Sequence, residues 1–333
     1  MKNCEEPICE NNPVLPKLVS SEYLKLIENA DPVSAEALKK QVLPSPQENN
    51  VQDFETIDPL GEKYYQVSNQ CIHQYPNRVL ILTTGKCFSY CRYCFRREFA
   101  ARQEGFISNN EFSKIMDYIR LNPNIKEVLL SGGDPVTGGI ERIKYCLENL
   151  RSVSKNLIIR LCTRSIIFAP QAFTPEFITL LKKSKPLWII PHINHFAELQ
   201  APQIKAIENC IDAGIPMQSQ TVLLKGVNDD AEVLIKLFHK LTCLGVKPGY
   251  LFQLDTARGT SHFAVPLKQA VSLWKTLKNR LSGLSLPTFA VDLQDGGGKF
   301  RLDAVALHEN ISNITETGFT VVKDDGKVYT YKK

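Results

Sequence analysis

The chain has 333 residues, of which 43% are hydrophobic, and a formal net charge of +5. These values are typical of a soluble globular protein with one large domain or two ordinary ones. Lysines and arginines are scattered along the chain, so neither nucleic acid nor an anionic membrane is the expected partner. No apolar run reaches membrane-spanning length and the first residues are polar and acidic, so we expect no signal peptide and a cytoplasmic location.

Residues 1–75 are predicted to form an N-terminal helical segment with proline-rich joints. Leu24 lies in one short amphipathic stretch, and residues 35–42 form a second one that Pro44 ends. Residues 44–59 are polar and irregular. They are therefore expected to be a linker that wraps around the next domain.

Residues 76–305 alternate short apolar runs with amphipathic helical stretches. The seven runs are residues 79–82, 128–130, 157–161, 187–190, 217–224, 250–254 and 289–293. This repetition predicts an α/β domain of parallel strands with right-handed crossovers, as a barrel, a partial barrel or a doubly wound sheet. In either barrel form, functional residues gather at the C-terminal ends of the strands.

Residues 306–333 are predicted to be a short tail that ends in a hairpin. Residues 319–331 alternate in polarity around the sequence Asp324-Asp325-Gly326. An Asp-Gly pair favours the tight turn of a two-stranded hairpin.

Three of the ten cysteines, Cys87, Cys91 and Cys94, follow the first of the seven predicted strands with the spacing Cys-x3-Cys-x2-Cys. In a reduced compartment, clustered cysteines are more often metal ligands than disulfides. Three thiolates can hold three irons of a 4Fe-4S cluster and leave the fourth iron open. The alternatives are a zinc knuckle or three buried thiols, although zinc sites usually bring two cysteine pairs or include histidine.

The sequence Ser131-Gly132-Gly133-Asp134-Pro135 follows the second predicted strand. Glycines allow a main chain to approach a ligand closely. Taken alone, the same sequence is a common turn. Its position after a second strand and behind the cysteine loop favours a binding role.

A glycine run precedes Lys299 near the other end of the domain. It is not a phosphate-binding P-loop, because Leu293 stands where the first glycine belongs and Phe300 replaces serine or threonine. Lys299 is either a solvated turn residue or a lysine on a flexible loop. In the second case, partial desolvation would free its amine to bond with pyridoxal phosphate.

Together these motifs resemble the lysine 2,3-aminomutase family of radical S-adenosylmethionine (SAM) enzymes, over about residues 60–305. The resemblance also rests on Arg96-Arg97, Thr163-Arg164, residues 192–195, residues 213–229, residues 259–263 and residues 296–299. It implies a partial (β/α)6-type barrel and an isomerase that moves the α-amino group of L-lysine to C3, giving β-lysine. It also implies three cofactors: a 4Fe-4S cluster, SAM and pyridoxal phosphate.

The resemblance assigns roles to individual residues. Cys87, Cys91 and Cys94 would bind the cluster, and Lys299 would be the catalytic lysine that bonds to pyridoxal phosphate. The remaining assignments are Arg96 for the substrate α-carboxylate, Asp255 and Asp292 for its ε-ammonium, and Gly132, Gly133, Asp134, Tyr93, Tyr75, Arg78, His192 and Gln220 for the SAM and pyridoxal phosphate sites. A guanidinium fork suits a carboxylate, and paired acids offset the cost of burying an ammonium. Tyr75, Arg78, His192 and Gln220 could equally be packed polar residues at strand ends.

The chain departs from the family pattern at three positions. Gln74 stands where an arginine is expected, and Gln294 and Asp295 replace a proline and a glycine before the lysine. The chain also lacks the terminal extensions of fermentative lysine aminomutases, as in the branch that makes β-lysine for modification of elongation factor P. The resemblance further implies an external electron donor of the flavodoxin or ferredoxin type and a homodimer.

Three other functions are consistent with parts of this sequence pattern. A glutamate 2,3-aminomutase would need a cationic or neutral residue for the side-chain carboxylate, and Asp255 and Asp292 argue against it. A second rival acts on lysine inside a protein, with elongation factor P or its modifying enzyme as partner. The third is a non-catalytic iron–sulfur or zinc protein that uses the cysteines for structure or redox sensing.

Overall fold

The computed structural model describes residues 15–102, 105–303, 311–312, 315, 317–323 and 326–332. Strands and helices alternate through most of these residues. The strands are β1 (Gln66–Ser68), β2 (Cys71–Tyr75), β3 (Arg78–Thr84), β4 (Glu127–Gly132), β5 (Ile158–Thr163), β6 (Leu187–Pro191), β7 (Gln218–Leu223), β8 (Lys247–Gln253), β9 (Thr288–Leu293), β10 (Gly298–Arg301), β11 (Ile311–Ser312), β12 (Gly318–Val322) and β13 (Val328–Lys332).

The helices are numbered in chain order, and the first two precede all the strands. They are α1 (Ser21–Glu28), α2 (Pro32–Val42), α3 (Arg97–Arg102), α4 (Asn109–Leu121), α5 (Gly139–Val153), α6 (Ser165–Phe168), α7 (Pro175–Lys183), α8 (Ala201–Asp212), α9 (Ala231–Cys243) and α10 (Leu267–Arg280). Short 3-10 helices add single turns, of which Pro46–Asn49, Glu62–Tyr65 and Phe196–Glu198 contribute to the site described below.

The parallel strands form a partial barrel. Strands β3 to β6 pair in order in one sheet, and β7 to β9 pair in order in a second. Two isolated parallel bridges, Ile189 with Met217 and His192 with Gln220, connect β6 to β7. Six strand-and-helix units are followed by β9, and each predicted apolar run overlaps one strand. The expected α/β fold with a (β/α)6-type partial barrel is confirmed.

The helices form where the sequence supplies a cap and an apolar face. The side chain of Ser108 accepts a hydrogen bond from the Glu111 N–H at the start of α4. Phe112, Ile115 and Met116 then recur on one face, and all three are at most 2% exposed. Burial of such a face against the sheet is the main source of helix stability in a folded protein.

The N-terminal segment contains α1 and α2, as predicted, but it also contains strands that sequence analysis missed. Strand β2 pairs with β3 in antiparallel orientation and extends the parallel sheet, and β1 pairs with β2. Apart from Cys71 and Ile72, the β2 residues are polar or only partly buried. Their strand conformation depends on hydrogen bonds to β3, which the local pattern does not reveal.

The C-terminal tail forms the predicted hairpin. Strands β12 and β13 pair in antiparallel register, whereas Asp324 and Asp325 of the predicted turn lie outside the described residues. The hairpin packs on the domain: the rings of Phe319 and Phe300 are 5.6 Å apart, and the Tyr331 hydroxyl donates to the Leu254 carbonyl at 3.4 Å. Within the described ranges, no helix has both the length and the apolar character needed to cross a membrane.

Candidate active site

The three clustered cysteines lie in the loop after β3, at the C-terminal edge of the parallel sheet. Burial raises the pKa of Cys87 well above its usual value, and the charges of Asp134, Cys94 and Cys91 raise it further. Burial likewise raises the pKa of Cys94 to about 11, with a further contribution from Cys91. Three cysteines within residues 87–94 of one loop fit a cluster held by three thiolates. Among the described residues, no three His, Cys, Asp or Glu side chains are grouped to hold a single metal ion.

The N-terminal segment anchors this cysteine loop. Arg92 is 2% exposed and donates to both carboxylate oxygens of Glu48, at 2.8 and 2.6 Å. Arg92 also donates to the Leu15 and Pro16 carbonyls, and Arg97 donates to Glu48 at 2.7 Å. Sequence analysis did not identify Glu48, because its partners lie more than forty residues away along the chain.

Arg164, at the end of β5, connects the cysteine loop to a buried polar network. Its Nη1 donates to Cys91 Sγ at 2.8 Å and to the Tyr93 hydroxyl. Its Nη2 donates to Gln41 at 2.7 Å and to Glu198, whose side chain is fully buried. The Thr163-Arg164 motif after the third predicted strand is the sequence signal for this residue, although the sequence assigns it no role.

Tyr93 and His192 are brought together beside this network. The Tyr93 hydroxyl and His192 Nε2 are 3.1 Å apart. Desolvation, together with the positive charge of Arg164, lowers the pKa of His192 to about 3, so the imidazole is neutral at physiological pH. Gln220 lies next to His192 through the β-bridge between β6 and β7.

The Gly132-Gly133-Asp134 turn brings β4 against the start of the cysteine loop. A Cβ on Gly132 would lie 2.5 Å from the Thr84 carbonyl oxygen, and one on Gly133 would lie 2.4 Å from that of Lys86, so both positions require glycine. The buried Asp134 carboxylate accepts hydrogen bonds from the Thr163 hydroxyl at 2.8 Å and from the Arg164 N–H at 2.8 Å. In this structure Asp134 joins β4 to β5.

Lys299 lies on β10, which pairs in antiparallel orientation with β9. Sequence analysis expected a flexible loop at this position. The residue is instead held in a ladder directly opposite Asp292, and the Lys299 N–H also donates to the Tyr75 hydroxyl at 2.9 Å. Lys299 Nζ donates to the two oxygens of Asp292 at 3.1 and 2.9 Å and lies 4.0 Å from the centre of the Phe252 ring. An amine beside an aromatic face and a carboxylate fits an aromatic aldehyde cofactor such as pyridoxal phosphate.

The glycine loop before Lys299 is held by side chains from the N-terminal segment and from the C-terminal tail. The Gly296 carbonyl accepts from the Tyr65 hydroxyl at 2.9 Å and from the Gln74 amide at 3.2 Å. The Gly297 carbonyl accepts from Lys323 Nζ at 2.7 Å. Gln74, which replaces the expected arginine, therefore fixes the loop through its amide.

The remaining predicted residues are Arg78, at the start of β3, Arg96, and Asp255. The guanidinium of Arg78 stacks on the Tyr75 ring at 3.7 Å. Arg96, two residues after the last cysteine, donates through both terminal nitrogens to Glu62. Asp255 follows β8, the strand next to that of Asp292. Burial raises the pKa of Tyr331, and the charge of Asp255 raises it further.

Comparison with known proteins identifies the family. Residues 81–238 match the radical SAM superfamily. The chain is 56% identical to a putative L-lysine 2,3-aminomutase of Treponema pallidum, covering 94% of this chain and 88% of the relative. It is 36% identical to the L-lysine 2,3-aminomutase of Clostridium subterminale, covering 90% and 71%. The chain belongs to the lysine 2,3-aminomutase family.

The family also includes a related activity. The glutamate 2,3-aminomutase of Clostridioides difficile is 34% identical, covering 84% of this chain and 66% of the relative. A radical SAM enzyme of this family is an isomerase that uses a 4Fe-4S cluster and SAM. The radical SAM match begins in β3 and includes all three clustered cysteines.

Proposed function

We propose that this enzyme converts L-lysine to β-lysine by moving the α-amino group to C3. The observation that carries the proposal is the contact between Asp292 and Lys299 Nζ at 2.9 Å. It supports Asp292 as a carboxylate that accepts an alkylammonium group inside the site. The ε-ammonium of a lysine substrate is the same chemical group.

The substrate is held at both ends in this proposal. Arg96 pairs with the α-carboxylate, because a guanidinium fork binds a carboxylate with two parallel hydrogen bonds. Asp292 and Asp255, on or after neighbouring strands, hold the ε-ammonium. Fixed charges of opposite sign at the two ends of the site select both the length and the charge of the bound amino acid.

The protein positions three cofactors and shields them from water. When bound, the cluster and SAM supply a 5'-deoxyadenosyl radical that takes hydrogen, and pyridoxal phosphate supplies the carrier for the migrating nitrogen. Cys87, Cys91 and Cys94 hold the cluster, and Lys299 holds pyridoxal phosphate. Gly132, Gly133, Asp134, Tyr93, Tyr75, Arg78, His192 and Gln220 line the SAM and pyridoxal phosphate sites.

Glutamate is the rival substrate within the family. A glutamate side chain would bring a carboxylate to Asp292 and Asp255, and two like charges in one partly buried site repel each other. A lysine side chain brings the complementary charge. The acid pair therefore favours lysine.

In this proposal the chain has three regions and acts with other proteins. Residues 76–305 form the catalytic domain, and residues 1–75 and 306–333 support it, in a homodimer located in the cytoplasm. An external electron donor of the flavodoxin or ferredoxin type reduces the cluster. Use of the product for elongation factor P modification is the alternative to release of free β-lysine. Light scattering of the purified protein would measure its oligomeric state.

The test is anaerobic reconstitution with iron, sulfide and pyridoxal phosphate, followed by reductant, SAM and one amino acid at a time. We expect β-lysine from L-lysine and no β-glutamate from glutamate. A peptide that contains lysine, or elongation factor P itself, serves as the third substrate. Product from glutamate alone, or from the protein-bound lysine alone, would overturn the assignment.

A further inference from the structure

Glu62 pairs with Arg96 although nothing in the sequence pattern connects the two residues. Glu62 begins the 3-10 helix Glu62–Tyr65, and each of its carboxylate oxygens accepts a hydrogen bond from one terminal nitrogen of Arg96. The two side chains are 17% and 10% exposed. A bidentate pair with so little exposure fixes the plane of the guanidinium as well as its position.

Glu62 is itself held by its own segment, residues 58–65, which we call the strap. The Asp58 carboxylate accepts from the Glu62 N–H at 2.9 Å and from the Lys63 N–H at 3.2 Å. These bonds cap the short helix and fix the backbone from which the Glu62 side chain extends. The backbone and the carboxylate of Glu62 are therefore both held in place by hydrogen bonds.

The strap also contacts the glycine loop before Lys299. Gly61 adopts a φ of +64°, and a Cβ at this position would lie 2.4 Å from the Gly296 nitrogen. The Tyr65 hydroxyl donates to the Gly296 carbonyl at 2.9 Å. One short segment is thus fixed at the same time to the Lys299 loop and to Arg96.

The pair leaves part of Arg96 available for a ligand. A guanidinium carries five N–H donors in a rigid fork, and Glu62 takes two of them at the edge formed by both terminal nitrogens. Nε and an outer N–H lie on another edge of the same plane. A second carboxylate can bind there while Glu62 stays in place.

We propose that Glu62 is a positioning residue that orients Arg96 toward the α-carboxylate of the substrate. The strap sets the distance between this carboxylate site and the Lys299 loop, because it is bonded to both. This inference rests on the proposed function of Arg96. It differs from a competing role, in which Glu62 would occupy Arg96 until the substrate displaces it.

The test compares two amines on the reconstituted enzyme without SAM. L-lysine carries the α-carboxylate, whereas 1,5-diaminopentane is the same chain without it. Binding of each amine is followed by the absorbance change of bound pyridoxal phosphate. In the Glu62→Gln variant, we expect the apparent dissociation constant of L-lysine to rise about tenfold, the scale of one hydrogen bond to a charged group. That of 1,5-diaminopentane should stay within about twofold of native.

Two further variants sharpen the test. Asp53→Asn makes the same chemical change at an exposed residue just before the strap and should bind both amines as the native enzyme does. In an Arg96→Lys background, Glu62→Gln should weaken lysine binding by less than about twofold, because the effects of residues that act through one contact are not additive.

In turnover, Glu62→Gln should raise KM for lysine and change kcat by less than about threefold.

Three outcomes would contradict the positioning role of Glu62. Equal weakening of both amines would make Glu62 a purely structural residue, and tighter lysine binding would make it a competitor of the substrate. Unchanged lysine binding in Glu62→Gln would also overturn the inference. If native enzyme shows no response to L-lysine, the proposed function fails instead, and the two failures are thereby distinguished.

Discussion

Around the cysteine loop, the charged side chains are almost completely buried, whereas around Lys299 they are partly open to solvent. Arg164 and Glu198 are 7% and 0% exposed, and Arg92 is 2% exposed. Lys299 and Asp292 are 26% and 15% exposed. A buried ion pair is costly to break, and a partly exposed one can exchange partners.

This difference corresponds to two tasks. The cysteine loop is suited to hold a cluster in one geometry and to keep water away from it. The Lys299 region is suited to release one ammonium and accept another. The predictions below test whether the two regions can be changed separately.

Lys299→Ala should have the largest effect. The variant should lose the absorbance of bound pyridoxal phosphate and all β-lysine formation, while it retains iron and still cleaves SAM. Lys275→Ala, at an exposed position of α10, is the matched control and should behave as the native enzyme does. Loss of iron in Lys299→Ala would show that the two regions are not independent.

Glu198→Gln should produce the largest loss of stability. Glu198 accepts hydrogen bonds from Arg164, Tyr23 and the Asn194 N–H, and its loss leaves a buried arginine without its counter-ion. We expect the free energy of unfolding to fall by about 3 kcal/mol, measured by urea titration. Glu232→Gln removes the carboxylate of the exposed Arg280 pair and should leave the urea midpoint unchanged. Equal effects of the two variants would contradict the buried character of the cysteine-loop network.

Asp292→Asn should affect the other region. Removing the carboxylate takes away a partner of the substrate ammonium, so KM for L-lysine should rise about thirtyfold, or about 2 kcal/mol. Iron content and the urea midpoint should stay as in the native enzyme. Asp212→Asn, at the exposed end of α8, is the control. A native KM in Asp292→Asn would remove Asp292 from the substrate site.

The last prediction concerns the dependence of stability on pH. Because the pKa of His192 falls from 6.5 to about 3 in the folded protein, the unfolded chain binds a proton between these values that the folded chain does not. Stability should therefore fall as pH decreases from 6.5 toward 3, with His192 contributing up to about 1.4 kcal/mol per pH unit.

His192→Gln should reduce that slope, measured as urea midpoints between about pH 6 and pH 4.5. His239→Gln, at an exposed position of α9, should leave the slope unchanged. Identical slopes in the His192 variant and the native protein would show that the ring is not desolvated.

Features with a local signature were predictable from the sequence. The cysteine triplet has a fixed spacing, and the parallel strands have continuous apolar runs because both faces of such strands are covered. The partial barrel follows from their alternation with helices. The hairpin tail was visible in the alternation of residues 319–331.

Features that depend on distant partners were not predictable. Strand β2 is polar in part and exists because β3 pairs with it. Lys299 was expected on a flexible loop, since a glycine run looks mobile until Tyr65, Gln74 and Lys323 are seen to hold its carbonyls. Glu62 carries no motif, and only the folded chain brings it to Arg96.

The most direct test of the account uses L-lysine labelled with nitrogen-15 at the α-amino group. The reconstituted enzyme, given SAM and reductant, is predicted to form β-lysine that carries the label on C3, as read by NMR. Cys91→Ala and Lys299→Ala should each abolish this product, because one removes a cluster ligand and the other the pyridoxal phosphate lysine. Cleavage of SAM by the native enzyme with lysine recovered unchanged, or with the label released as ammonia, would contradict the account.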